Sequence, residues 1–314
     1  YLKSKSLPWL FLGLLFSVGA TLTRQLGFFL PLAYGLSAKL SDRKWSRSFL
    51  PLFITILSLY SFELWLAQIG LPKMYMSRVT VLEGALKYGL GAFFVRFLER
   101  SGISLLYLSL LLVPMIPLTL GSLLQRVWTK AWGPLSLLGL AILALLGKRM
   151  PVGGNIIYDT GLGPITLRDV KLLNMAKWST WPCLWYLLSI VTLLASALVL
   201  LALVAKMNEL MKAGKEQEIF LFILILTYGC LIGLVYTFDR YLLVIILPVI
   251  TLLLSMSETK NFPNMKMSLP SIVLLIVFGA YSVAGTHDYL SWNRIRWQIL
   301  KELTESGQSS SVID

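Results

Sequence analysis

Residues 182–205, PCLWYLLSIVTLLASALVLLALVA, run through two dozen positions without a single charge. A hydrocarbon core of roughly 30 Å takes ~20 predominantly apolar residues of helix to cross. Lipid offers backbone N–H and C=O groups no partner, so such a run must close its hydrogen bonds within itself and is helical. The same reading extends outward to 7–22, 24–39, 48–67, 104–124 and 132–147 before it, and to 219–238, 240–256 and 270–286 after it. The shorter members of the set fit with help from their flanks or with little tilt. Composition agrees: 57% of residues are hydrophobic, 14% are charged, and the mean hydropathy is +0.76. A soluble helical protein of this make-up would have to bury several wholly apolar helices on every side. The expected fold is an all-α integral membrane protein of about nine transmembrane helices.

Two expected units follow. Residues 1–286 form a polytopic membrane core, and 287–314 begin a C-terminal extracytoplasmic domain. The chain opens on Tyr1 and stops at Asp314, and both ends are expected to be cuts within a longer protein. Two cysteines, Cys183 and Cys230, both fall inside apolar runs, where a lone thiol acts as a small apolar side chain. A single histidine excludes a His-rich metal site. The net charge of +13 does not argue for nucleic acid, because no basic run is long enough. In a membrane protein an excess of Lys and Arg reports topology and lipid contact.

Nine spans place 1–6, 40–47, 125–131, 206–218 and 257–269 on one side of the bilayer. These short connections are dense in Lys and Arg, among them Lys206, Lys212 and Lys215, so that side is read as cytoplasmic. The longer pieces 68–103 and 148–181, with the tail, take the other side. Within 78–100, Leu82, Leu86, Leu90, Phe93 and Phe97 recur at helical spacing, while Arg78, Lys87, Arg96, Glu99 and Arg100 interrupt them. That pattern predicts a helix lying in the interface. In the tail, Trp292, Ile295, Ile299 and Leu303 predict an amphipathic helix that ends near Gly307.

A few polar residues stand where spanning does not need them. Arg24 and Gln25 occupy a connection of almost no length between two apolar runs. A charge so near hydrocarbon points to a partner or a function; snorkelling to the headgroups is the plainer alternative. Arg240 repeats the arrangement on the same side, with Asp239 and Tyr241 beside it. Two arginines in tight turns on one face suit an anion, since guanidinium grips phosphate oxygens with paired donors. Glu63 lies within the third run near that same face, placed to pair with an arginine or to meet interfacial water. Asp159, Arg168 and Asp169 belong to the turn-rich outer loop, where local Asx-type bonding competes with substrate contact. His287 and Asp288 follow the last span and suit a capped joint better than an acid–base pair. No Walker loop, GxGxxG or metal-ligand cluster is present.

Four segments together resemble a known group. They are the turn Thr21-Leu22-Thr23-Arg24-Gln25-Leu26-Gly27, the loop from Gly161 to Asp169, the helix start Arg240-Tyr241-Leu242-Leu243, and the tail from His287 to Arg294. The arrangement resembles polytopic glycosyltransferases of the GT-C superfamily, of the protein mannosyltransferase and lipid A aminoarabinose transferase type (glycosyltransferase family 39). The resemblance implies transfer of a sugar from a polyprenyl-phosphate carrier to a lipid, glycan or protein acceptor. It places that reaction on the extracytoplasmic face of a bacterial plasma membrane. It also implies that basic residues facing the outer cavity, here Arg24 and Arg240, hold the carrier phosphate. Such enzymes place an acidic residue in the first outer loop, and this chain has only Arg24 and Gln25 in its first outer turn. The catalytic carboxylate is therefore expected upstream of Tyr1. A divalent metal is compatible with the group, but no site for one is identifiable. The competing function is a multi-spanning transporter or lipid flippase, which would favour internal repeats and binding groups at the membrane midplane. Neither is found in the sequence.

Overall fold

The computed structural model describes residues 7–23, 25–40, 45–69, 89–118, 182–213, 215–234, 239–256 and 265–307. Among them there is no strand. Eight helices follow in order: α1 (Leu7–Thr23), α2 (Phe29–Leu40), α3 (Trp45–Ile69), α4 (Leu90–Leu112), α5 (Pro182–Ala213), α6 (Glu216–Leu234), α7 (Leu243–Met256) and α8 (Met265–Glu305). Short 3-10 turns at Gln25–Phe28 and Asp239–Leu242 lead into α2 and α7, and a third at Val113–Met115 extends α4.

Four segments, Ser48–Ile69, Gly91–Leu118, Tyr186–Lys212 and Glu216–Leu234, are long and apolar enough to cross a bilayer. Leu7–Thr23, Leu243–Met256 and Leu269–Val283 are shorter apolar helices. On that ground the chain is a helical membrane protein. The fifth expected span, 132–147, lies outside the described residues.

Several hydroxyl groups behave as the absence of water demands. Thr21 Oγ1 donates to the Ser17 carbonyl at 2.8 Å, Thr55 to Pro51 at 2.8 Å, Thr192 to Leu188 at 2.7 Å and Ser196 to Thr192 at 2.8 Å. Each closes its bond one turn back within its own helix, so none needs a partner from solvent.

The core sits where α4, α5, α6 and α7 meet, with Tyr107, Leu112, Ala202, Tyr228 and Val249 almost wholly buried. The opposite faces are apolar too: Phe53 and Trp65 of α3, Leu226 of α6 and Leu247 of α7 are exposed. A helix apolar all round, with its outer face bare, suits contact with lipid and not water.

Three sequence expectations change. Residues 90–100 are not a separate interfacial helix: they are the first turns of α4, which passes Ser101, Gly102 and Ile103 without interruption. A helical glycine costs only ~1 kcal/mol against alanine, too little to end a helix whose further turns are packed. Residues 78–88 lie outside the described residues. Likewise, most of the expected connection 206–218 is helical, because α5 runs to Ala213 and α6 begins at Glu216. Finally, no joint separates the membrane part from the tail at His287, since α8 continues unbroken from Met265 to Glu305. At 1.5 Å per residue its 41 residues reach ~60 Å. The tail helix does end where expected, with the Gly307 N–H on the Thr304 carbonyl at 3.1 Å.

Candidate functional site

Helix direction decides which polar residues share an end of the bundle. Phe29, the first residue of α2, meets Tyr228 edge-on with ring centroids 6.0 Å apart. One turn further, Ala33 packs with Ile223 and Leu224. Higher numbers on α2 thus face lower numbers on α6, and the two helices are antiparallel. The Gln25–Phe28 turn therefore sits at the same end as Leu234 and the Asp239–Leu242 turn. The sequence reading placed the two arginine turns on one membrane face; their described parts, Gln25–Phe28 and Asp239–Leu242, lie at one end of the bundle.

The first turn reaches its position by folding back on α1. A side chain at Gly27 would run into the backbone of Ala20 and Thr21, with the Ala20 oxygen 2.7 Å from a Cβ there. Only glycine allows the approach. Thr23, the last residue of α1, turns its hydroxyl back onto the Ala20 carbonyl at 2.9 Å, which keeps it off the turn.

The second turn is anchored on the core. Leu242 is 1% exposed and packs in the cluster shared by α4, α5, α6 and α7. Tyr241 is half-buried beside it. The N-terminal part of α4 closes over this end: a Cβ at Gly233 would meet the Phe97 ring at 2.6 Å and collide with Ser101 Oγ. One residue on, Arg100 Nη1 donates to the Leu234 carbonyl at 2.7 Å.

The remaining candidates scatter. Glu63 is exposed on the last part of α3, which runs toward this end. His287 is exposed on α8, and it and Asp288 lie inside a helix, so they do not cap one. Arg24, Asp159, Arg168 and Asp169 lie outside the described residues, as do the side chains of Gln25, Asp239, Arg240 and Asp288. Cys183 and Cys230 are free and exposed on their helices. Among the described residues no group of three or more metal-ligating side chains forms.

Sequence reasoning missed two charged residues. Arg100 was read only as an interruption of an interfacial helix. Its signal was the pair Arg96 and Arg100, four apart on one face of an otherwise apolar segment. Lys206 was counted as a topological charge, yet it is 1% exposed. Its Nζ lies 2.9 Å from Glu218 Oε2 and 3.3 Å from Glu209 Oε1. The spacing Lys206–Glu209 was legible as an i,i+3 pair; the partner on α6 was not. This triad marks the end of the bundle opposite the arginine turns, at the α5–α6 connection.

No protein-family model, curated protein or solved structure matches this chain.

Proposed function

We propose that this chain is the membrane core of a glycosyltransferase. It would transfer a sugar from a polyprenyl-phosphate carrier to a lipid, glycan or protein acceptor at the extracytoplasmic face of a bacterial plasma membrane. The observation that carries the reading is the shared end of the bundle. The Gln25–Phe28 turn leads into α2, which meets antiparallel α6 through Phe29 and Tyr228, and Leu234, the end of α6, precedes the Asp239–Leu242 turn. A carrier phosphate is an anion on an apolar tail, so it needs guanidinium groups beside lipid-facing helices, the roles this reading gives to Arg24 and Arg240. In the transfer, the bond between the sugar and the phosphate oxygen breaks, the acceptor oxygen bonds to the sugar, and the acceptor hydroxyl's proton passes to a base. Negative charge grows on the departing phosphate, and fixed cationic donors aimed at it favour that change.

Binding to the protein in lipid nanodiscs tests the reading. Each charge-assisted bond to phosphate contributes ~1.5–3 kcal/mol. Arg240→Lys keeps the charge but loses the paired donors, and should weaken polyprenyl phosphate at least about tenfold. Binding of the uncharged polyprenol should not change. Equal affinity of the wild-type protein for the phosphate and the alcohol would remove the carrier reading.

About nine spans, with the arginine turns outside, complete the proposal. The course of 90–118 as one helix supports this reading, because residues 90–100 then belong to that span. With Cys183 and Cys230 replaced by serine, a cysteine at Asn155 should react with an impermeant maleimide from outside the cell. One at Asn208, which is exposed on α5, should react only from inside. Labelling of both from one side would overturn this orientation.

A further inference from the structure

The face of α8 turned away from the bundle repeats at alternating intervals of three and four residues. Within the apolar part Leu269–Val283 it carries Leu269, Ile272, Ile276, Gly279 and Val283. Beyond that part the same spacing continues through Thr286, Leu290, Asn293, Trp297 and Leu300, all in one unbroken helix. None of these positions holds a charge. Leu269, Ile272, Ile276, Val283, Leu290 and Trp297 are between 49% and 71% exposed. Gly279 has nothing within 4 Å of where a side chain would begin. Leu274 and Phe278, which pack on the core, are each two residues from Ile276, about 200° around the helix. The exposed stripe therefore lies opposite the bundle.

A repeat of this kind is the seam of a left-handed pair of helices, in which side chains of one enter the holes of the other. On a single straight helix the stripe drifts by ~20° per seven residues, and winding two helices together removes the drift. Lipid can cover the stripe only over the ~30 Å of the hydrocarbon core, whereas α8 is about twice that length. A partner for the whole stripe must itself be a helix that crosses the membrane and continues past it. A second α8 has the same length and spacing. A twofold axis along the membrane normal lays the stripe on its own copy, with the bundles outward. Gly279 leaves room for the two backbones to approach within the membrane.

We infer that this face of α8 is the interface with a second copy of the chain, formed by a parallel pair of α8 helices. The inference does not depend on the proposed sugar transfer. Flanking charges tune its strength. In the parallel register Arg296 faces the partner's Lys301, a repulsion. Lys301 lies 3.8 Å from Glu305 of its own helix, which offsets part of it.

Cysteine cross-linking in membranes tests the interface in a Cys183→Ser/Cys230→Ser protein. Under mild oxidation, Leu290→Cys and Trp297→Cys should each give covalent dimers. Ile295→Cys, on the opposite side of α8, should not. Gly279→Leu should raise the dissociation constant of the dimer at least about tenfold on dilution in lipid. Thermal unfolding of the monomer should stay as in the wild type, because the position touches nothing. Arg296→Glu turns repulsion of the partner's Lys301 into attraction and should tighten the pair by about fivefold, an effect that high salt removes. No dimer from either seam cysteine overturns the inference; a helix of another protein, or lipid alone, would give that result. Equal cross-linking of all three cysteines, the mark of chance encounter, overturns it too. A dimer indifferent to Gly279→Leu would overturn the continuous seam through the membrane, and a weaker dimer in Arg296→Glu would overturn the parallel register.

Discussion

Lys206→Ala should lower the unfolding free energy by about 3–5 kcal/mol, the usual cost of breaking a buried ion pair from one side. The lysine is almost entirely enclosed, and its Glu218 partner on α6 is only 20% exposed. Removing the cation leaves that carboxylate in a poorly solvated place with no other cation paired to it among the described residues. Replacing both partners, Lys206→Met with Glu218→Leu, should recover most of the loss, because an apolar pair of similar volume needs no compensation. Glu209 has a half-exposed side chain, so Glu209→Gln should cost less than ~1 kcal/mol. Unfolding in mixed micelles with increasing denaturing detergent would rank the variants. A loss below ~1 kcal/mol for Lys206→Ala would mean that the lysine reaches water after all.

Gly233→Ala tests the other end of α6. The added methyl would press on the Phe97 ring and on Ser101 of α4, and overpacking of this kind costs ~1–3 kcal/mol. Gly233→Leu should fall at the top of that range or beyond it. Helix association inside a membrane depends on close van der Waals approach at small residues, so the penalty should appear as separation of α4 from α6. The Arg100 bond to Leu234 would stretch with it. Phe97→Leu, which trims the ring edge nearest Gly233, should restore part of the Gly233→Ala loss in the double variant. Thermal unfolding of the four proteins completes the cycle. A neutral Gly233→Ala would show that the helices cross less closely than described.

The helices were legible in the sequence because a membrane span announces itself by length and lack of charge. The two arginine turns stood out in the sequence for the opposite reason, as polar groups in places that cost free energy. What the sequence did not reveal depends on three-dimensional partners. A lysine at the end of an apolar run reads the same whether it meets water or Glu218 of the next helix. The tie from Arg100 to Leu234 joins points 134 residues apart and leaves no local periodicity. The breaks expected after Arg100 and at His287 failed because polarity was taken as a stop signal. A helix ends when its backbone bonding is better satisfied elsewhere, and neither Gly102 nor His287 offers that.

The unbroken course of α8 has a mechanical consequence. Leu274 and Phe278 lie against the core, and Ile295 and Ile299, exposed on the distal part, each come twenty-one positions later in one continuous helix. With 3.6 residues per turn, the compass bearing of the distal pair around the helix axis is set by how the earlier pair is seated. Any twist or axial slip of α8 where it meets Val113–Met115 is carried ~30 Å along the axis without a swivel to absorb it. The C-terminal segment therefore behaves as a drive shaft and not as a tether, and whatever engages its far end is geared to the interior of the bundle.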